Sequence, residues 1–164
     1  MKKLYLVRHA KSSWKYPDLD DFERPLNLRG RSDVPRVGHW LKNKQIRPDI
    51  ILSSPASRAA MTARIIAEIT GYPLAQISYV DQIYEAGLSE LMNVISLIDE
   101  RFTQAFLVGH NPSLTFLANS LGDSPVQNIS TGSIFALDLA INKWRAVDKK
   151  CGKCIFYKSP KEIF

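Results

Sequence analysis

The chain has 164 residues, 45% of them hydrophobic and 23% charged, with a formal net charge of +6. That length suits one domain with a core of its own, and no apolar run approaches the ~18 residues of a membrane span. The positive charge favours anionic substrates or partners. Seven of the 22 basic residues lie between Lys143 and Lys161 and the rest are scattered among acids; no dense basic run is interleaved with aromatics, which argues against a nucleic-acid groove.

From the N-terminus, Lys2 and Lys3 precede the apolar run Leu4-Tyr5-Leu6-Val7, which ends at Arg8. The run is too short for a secretory signal, so a cytoplasmic location is expected. It reads instead as a buried strand over about residues 3–8. Residues 11–28 form a long polar stretch with Pro17, Pro25 and the acids Asp18, Asp20, Asp21 and Glu23. A connection of that length without secondary structure is usually functional. The stripe Val34, Val37, Gly38 and Leu41 predicts a helix over 29–44, with Pro35 leaving its start open.

A second strand is expected over 49–53, running into Ser54 as N-cap and Pro55 at the first helical position. Thr62, Ile65, Ile66 and Ile69 mark that helix's inner face, and Gly71 closes it. A short strand over 75–80 and an amphipathic helix carrying Leu88, Leu91, Met92 and Ile95 follow. A strand over 104–109 leads to a helix with Asn111 as N-cap, Pro112 at its first position, and Leu114, Leu117 and Leu121 inside. Residues 133–141 and 143–147 read as a final hairpin turning at Asn142. Strands alternating with helices imply an α/β protein with a mostly parallel, helix-covered sheet. Neither a repeat nor an interdomain linker is evident, so residues 1–164 are expected to form a single domain.

Three of these strands end in polar groups. Arg8-His9 closes the first, Ser53-Ser54-Pro55 the second with Arg58 one helical turn on, and Gly109-His110-Asn111-Pro112 the later one. Ligands of open α/β sheets bind at the carboxyl ends of strands. Buried cations there need an anion to offset their desolvation, and helix starts favour one. Arginine matches phosphate oxygens with planar, fixed donors. Each residue alone has an ordinary structural reading; their convergence points to a phosphate site. Arg8, Arg58 and His110 would bind the phosphate, and His9 would attack phosphorus to form a covalent phosphohistidine. His39, inside a helical pattern beside Trp40, reads as structural or exposed.

Cys151 and Cys154 form a single Cys-x-x-Cys pair without the further ligands structural zinc needs, and read as free thiols on a basic terminal segment. No carboxylate cluster points to a metal-assisted phosphatase and no Walker-type loop to a kinase. No metal and no cofactor are expected.

Leu6-Val7-Arg8-His9-Ala10, Ser53-Ser54-Pro55-x-x-Arg58-Ala59-x-x-Thr62-Ala63 and Val108-Gly109-His110-Asn111 resemble, in order, the signatures of the histidine phosphatase (phosphoglycerate-mutase-like) superfamily. The small size, Arg8-His9-Ala10-Lys11-Ser12 and Arg24-Pro25-Leu26-Asn27-x-Arg29-Gly30 resemble its SixA-type phosphohistidine phosphatase branch. Ala10 stands where broad superfamily members have glycine, a departure that fits this branch. The resemblance implies a three-layer α/β/α sandwich, a phosphohistidine intermediate on His9, and phosphate contacts from Arg8, Arg58 and His110. It also makes Glu85, in Ile83-Tyr84-Glu85-Ala86, the matching general acid, with the acids of 11–28 in reserve. The implied substrate is a phosphohistidine protein. A small phosphorylated metabolite handled by a phosphatase or mutase is the alternative within enzymes, and a non-catalytic phospho-binding module the alternative outside them.

Overall fold

The computed structural model describes residues 1–163. Six strands form one sheet: β1 (Lys2–Arg8), β2 (Ile50–Ser53), β3 (Ser78–Tyr79), β4 (Gln104–Gly109), β5 (Ile134–Leu139) and β6 (Gly152–Lys158), in the order β3-β2-β4-β1-β5-β6. The first four in that order run parallel, and β5 and β6 add an antiparallel edge. Four helices cover the faces: α1 (Leu28–Asn43), α2 (Ser57–Thr70), α3 (Leu88–Ser96) and α4 (Ser113–Leu121).

The strand pattern dictates this layering. Successive side chains of β1 alternate between faces, and both sets are apolar. Leu4 and Leu6 join a core with Leu91 and Ile95 of α3 and Leu114, Leu117 and Leu121 of α4. Tyr5 and Val7 join a second core with Val34, Val37 and Leu41 of α1 and Ala63, Ile66 and Ala67 of α2. The expected mixed α/β sandwich is therefore present, with α1 and α2 on one face and α3 and α4 on the other. Gly38 lets α1 approach α2, since a Cβ there would meet the Ile69 side chain at 3.0 Å.

Several boundaries differ from those the sequence predicts. Asn27 caps α1 by accepting from the Gly30 N–H, so the helix begins at Leu28 and simply carries Pro35 inside it. Helix α2 begins at Ser57, not at Ser54-Pro55, because Ser54 Oγ takes the Ala56 N–H and makes a local turn first. Helix α4 likewise begins at Ser113. Of the strand expected over 75–80, only Ser78–Tyr79 pairs, and a short 3-10 turn occupies Leu74–Gln76.

The largest correction is at the C-terminal side. Residues 143–147 are not the last strand. Trp144 is fully buried and its indole N–H donates to the Phe102 carbonyl, while its backbone N–H donates to Glu100 Oε1. These bonds draw Trp144–Ala146 into a 3-10 turn. The true partner of β5 is β6, so Cys154 lies on the sheet's edge strand and Cys151 directly precedes it. Both thiols are free and half-buried against the apolar core. Among the described residues no group of three or more metal-ligating side chains converges, and no helix is long and apolar enough to cross a membrane.

Candidate active site

Strands β1, β2 and β4 end side by side, which brings their terminal residues together. Backbone bonds lock the junction: the His9 N–H donates to the Gly109 carbonyl at 3.0 Å, and the Ser54 N–H donates to the Val108 carbonyl at 2.9 Å. The Ala10 N–H donates to Thr62 Oγ1 at 3.1 Å, and that hydroxyl donates to the Arg58 carbonyl at 2.8 Å. Thr62 thus ties the residue after His9 to the first turn of α2. Gly132 closes the other side, its N–H reaching the Arg8 and His9 carbonyls; its φ of +74° is a conformation glycine adopts without strain.

The result is a cleft of about 480 Å³ whose lining includes Arg8, His9, Arg58 and His110. Four of the five candidate residues are brought together. Glu85 is not among the lining residues: it is exposed, on the turn after Tyr84, with a φ of +55°. His39 is exposed on α1, away from the site.

His9 is buried, and its Nδ1 lies 2.8 Å from the Ala10 carbonyl oxygen. A carbonyl only accepts, so Nδ1 carries the hydrogen. Desolvation, only partly opposed by that carbonyl and reinforced by Arg58, Arg8 and Arg24, lowers the imidazole to about 4. At neutral pH the ring is therefore uncharged and Nε2 holds a free lone pair.

His110 packs beside it, with ring centroids 5.1 Å apart. Burial first, then His9 and Arg58, lowers it to about 3. It is thus a neutral donor and not a cation. Its Nε2 lies 2.8 Å from Ser54 Oγ. That hydroxyl accepts from the Ala56 N–H and still has both a proton to give and a lone pair to receive. Donating to an oxyanion through Nδ1, which is buried without a partner, requires the tautomer in which Ser54 gives its proton to Nε2.

Arg8 and Arg58 carry the same signature. Arg8 Nη1 donates to the Ile129 carbonyl at 2.8 Å, and Arg58 donates through Nη1 and Nη2 to Asp21, but the Nε of each is buried and unpartnered. Three of the four buried side-chain nitrogens without a partner among the described residues belong to this cleft. Leaving such donors unmet is costly, by about 1–3 kcal/mol each. An oxyanion carries the acceptors they lack.

The polar loop between β1 and α1 folds over this cleft. It is closed at its neck by the Ser12–Leu26 bridge and by the bonds Asn27 N–H to Lys11 carbonyl and Ser13 N–H to Pro25 carbonyl. Asp21, half-exposed on its 3-10 turn, receives bonds from Arg58, Arg24 and Tyr84. Those donors hold its carboxyl down at about 2 against the desolvation that opposes them. Tyr84, partly desolvated and facing that carboxylate, is pushed up to about 12.

Arg24 is buried, lines the cleft, and lies under the Trp14 ring at 3.7 Å. Its place at the site is not evident from strand-end reasoning, since it sits mid-loop. The signal was the Arg24-Pro25-Leu26-Asn27 stretch, which carries part of the resemblance to the SixA-type branch.

Comparison with known proteins places the chain in a family. The model of the histidine phosphatase superfamily (branch 1) matches residues 4–125. An uncharacterized protein of Mycobacterium tuberculosis is 30% identical over 166 residues, covering 94% of this chain and 100% of its own. Phosphoglycerate mutase 1 of Saccharomyces cerevisiae is 39% identical over 70 residues, but these are 42% of this chain and 28% of the yeast enzyme. The protein histidine phosphatase SixA, solved with tungstate, superposes with a TM-score of 0.83 at 18% identity, over 97% of each chain.

Proposed function

The chain belongs to the histidine phosphatase superfamily (branch 1), and on that premise we propose that it is a metal-independent phosphatase acting on phosphohistidine in a protein. Superfamily membership supports phosphatase activity. The choice of substrate rests on the site itself, and one observation carries it. A neutral His9 with its Nδ1 hydrogen engaged shares a cleft with Arg8, Arg58 and His110, each of which keeps a buried ring or guanidinium nitrogen without a partner, and no carboxylate is among the lining residues.

That arrangement supports a two-step reaction. Arg8, Arg58 and His110 hold the phosphoryl oxygens, whose charge needs fixed positive donors. His9 Nε2 attacks phosphorus as the bond to the leaving nitrogen breaks, and the leaving imidazole, already protonated from solvent on its other ring nitrogen, departs neutral. Water then attacks the phosphohistidine on His9, releasing phosphate and restoring the imidazole. The Ala10 carbonyl keeps Nε2 directed to this task by holding the hydrogen on Nδ1.

Protonated imidazole leaves phosphorus readily, so such a substrate asks little of a general acid. This suits a cleft without a lining carboxylate. Asp21 is near, but a carboxyl at about 2 is ionised at neutral pH and holds no proton to give. Glu85 remains the proposed donor for less reactive esters. The matched segment of a phosphoglycerate mutase keeps a small phosphorylated metabolite as the second reading.

The deciding experiment measures kcat/KM for a phosphohistidine protein, 3-phosphoglycerate and nitrophenyl phosphate with wild type and His9→Ala. Preference for the phosphohistidine protein, lost in His9→Ala, is expected. A higher value for phosphoglycerate would replace this reading with the second one.

A further inference from the structure

The catalytic cleft does not end at the phosphate. Ser12, Trp14 and Asn27 line both it and an adjoining open groove of about 570 Å³, whose far side is formed by Lys15, Tyr16, Leu28, Arg29 and Arg31. No acid is among that groove's lining residues. Arg8, Lys11 and Thr131 of the cleft are shared with a smaller hollow, which also takes in Arg29 and adds Lys161. Its one acid, Asp33, is buried and already bonded to Arg29 and Arg36. Asp33 thus offsets Arg29, while Lys11, Lys15, Arg31 and Lys161 have no acid to offset them among the lining residues.

The groove is also apolar where exposure is most costly. Trp14 is 78% exposed and Leu28 86%, with Tyr16 at 50%. Leu28 occupies the first position of α1, where a polar residue would serve the helix as well. Trp14 is held in place, because Arg24 beneath it is fixed by Ser12, the Ser13 carbonyl and Asp21. Exposed aromatics held rigid beside arginines are what protein-binding surfaces employ.

Resting on the phosphohistidine reading, we propose that this groove docks the protein substrate itself, through a segment in which acidic and apolar residues flank the phosphorylated side chain. Lys15 and Arg31 pair with the flanking carboxylates. Leu28 and Tyr16 cover the apolar residues, and Trp14 marks where the segment turns into the phosphate cleft. The groove's charge selects an acidic partner, and its aromatic and aliphatic members select a polypeptide over a small sugar or glycerate phosphate, which would not reach them.

The test uses two phosphohistidine peptides, one flanked by Glu and Leu, the other by Lys and Gly, with nitrophenyl phosphate as the small reference. Wild type should favour the acidic peptide at least tenfold in kcat/KM, through KM. Lys15→Glu/Arg31→Glu and Leu28→Asp should each remove that preference and leave nitrophenyl phosphate turnover within twofold. Equal turnover of the two peptides, or indifference of both variants, overturns the docking proposal while the phosphohistidine reading survives. If wild type hydrolyses neither peptide, each is assayed as an inhibitor of nitrophenyl phosphate hydrolysis. Inhibition by the acidic peptide that the variants abolish upholds the groove although the phosphohistidine reading fails, and its absence overturns both. Stronger competition by an oligonucleotide or an anionic vesicle than by the acidic peptide also overturns the proposal.

Discussion

Asp21 holds Arg58 at both ends of its guanidinium, its carbonyl oxygen accepting from Nη1 at 2.7 Å and its carboxylate from Nη2 at 3.0 Å. A loop residue thereby orients a helix residue and leaves the Arg58 Nε buried without a partner. The carboxylate is half-exposed, so the pair is screened and its contribution is small.

Asp21→Ala should cost only about 1 kcal/mol, roughly fivefold in kcat/KM, and raise KM more than it lowers kcat. The stability it loses should itself depend on pH. With its folded value held near 2, below the ordinary 3.8, Asp21 stabilises the fold above about pH 4 and loses that advantage as pH falls toward 2. Urea midpoints of wild type and variant should therefore converge in acid. A hundredfold loss confined to alkyl phosphates would instead make Asp21 the proton donor.

Arg58→Ala removes a donor from where the phosphoryl charge is spread. By analogy with deleting one oxyanion-hole donor, kcat/KM should drop by about 3 kcal/mol, or two to three orders of magnitude. Thermal melting should show a folded protein, and inorganic phosphate should inhibit it less. Unchanged inhibition would take Arg58 out of the phosphate site.

The two buried imidazoles set a pH signature. Unfolded histidine takes a proton near 6.5, whereas His9 does so only at about 4 and His110 at about 3. The unfolded chain thus binds more protons across that interval, and stability falls as pH drops from about 7 toward 4. His9→Gln removes one of the two groups and should flatten the decline. Melting temperatures between pH 7 and 5 check this; parallel curves for the two proteins would mean His9 is not held neutral.

For Glu85 the informative change is to glycine. It deletes the carboxylate and relieves the left-handed φ of +55°, so stability should rise by up to about 1 kcal/mol. Alkyl phosphate hydrolysis should nevertheless fall about 10²- to 10⁴-fold, with nitrophenyl phosphate nearly spared, because only the poorer leaving group needs the proton. Equal rates on both esters would leave Glu85 without a catalytic part.

The sheet and most of the cleft are legible in the sequence because strand ends are marked by abrupt changes from apolar to polar, as at Val7-Arg8 and Val108-Gly109-His110. Those changes locate residues that tertiary structure then gathers by strand order alone. Asp21, Arg24 and Tyr84 escape that logic. Their positions depend on how an irregular loop bonds to α2 and to the turn after β3, and no periodicity encodes such contacts. Residues 143–147 misled for a related reason: a hydrophobic tryptophan flanked by polar residues reads as a strand, while its burial here serves two hydrogen bonds to Glu100 and Phe102.

The neck that pinches the loop between β1 and α1 separates two kinds of inheritance. Ser13 meets Pro25 and Lys11 meets Asn27, so residues between them leave and rejoin the body at nearly one point. Lengthening or replacing such an excursion changes closure entropy only slowly with length, and does not disturb the pairing of β1 with β4 and β5. A lineage can therefore exchange what stands around the phosphate while the histidines keep their places. Novelty in partners becomes cheap, and novelty in chemistry stays rare.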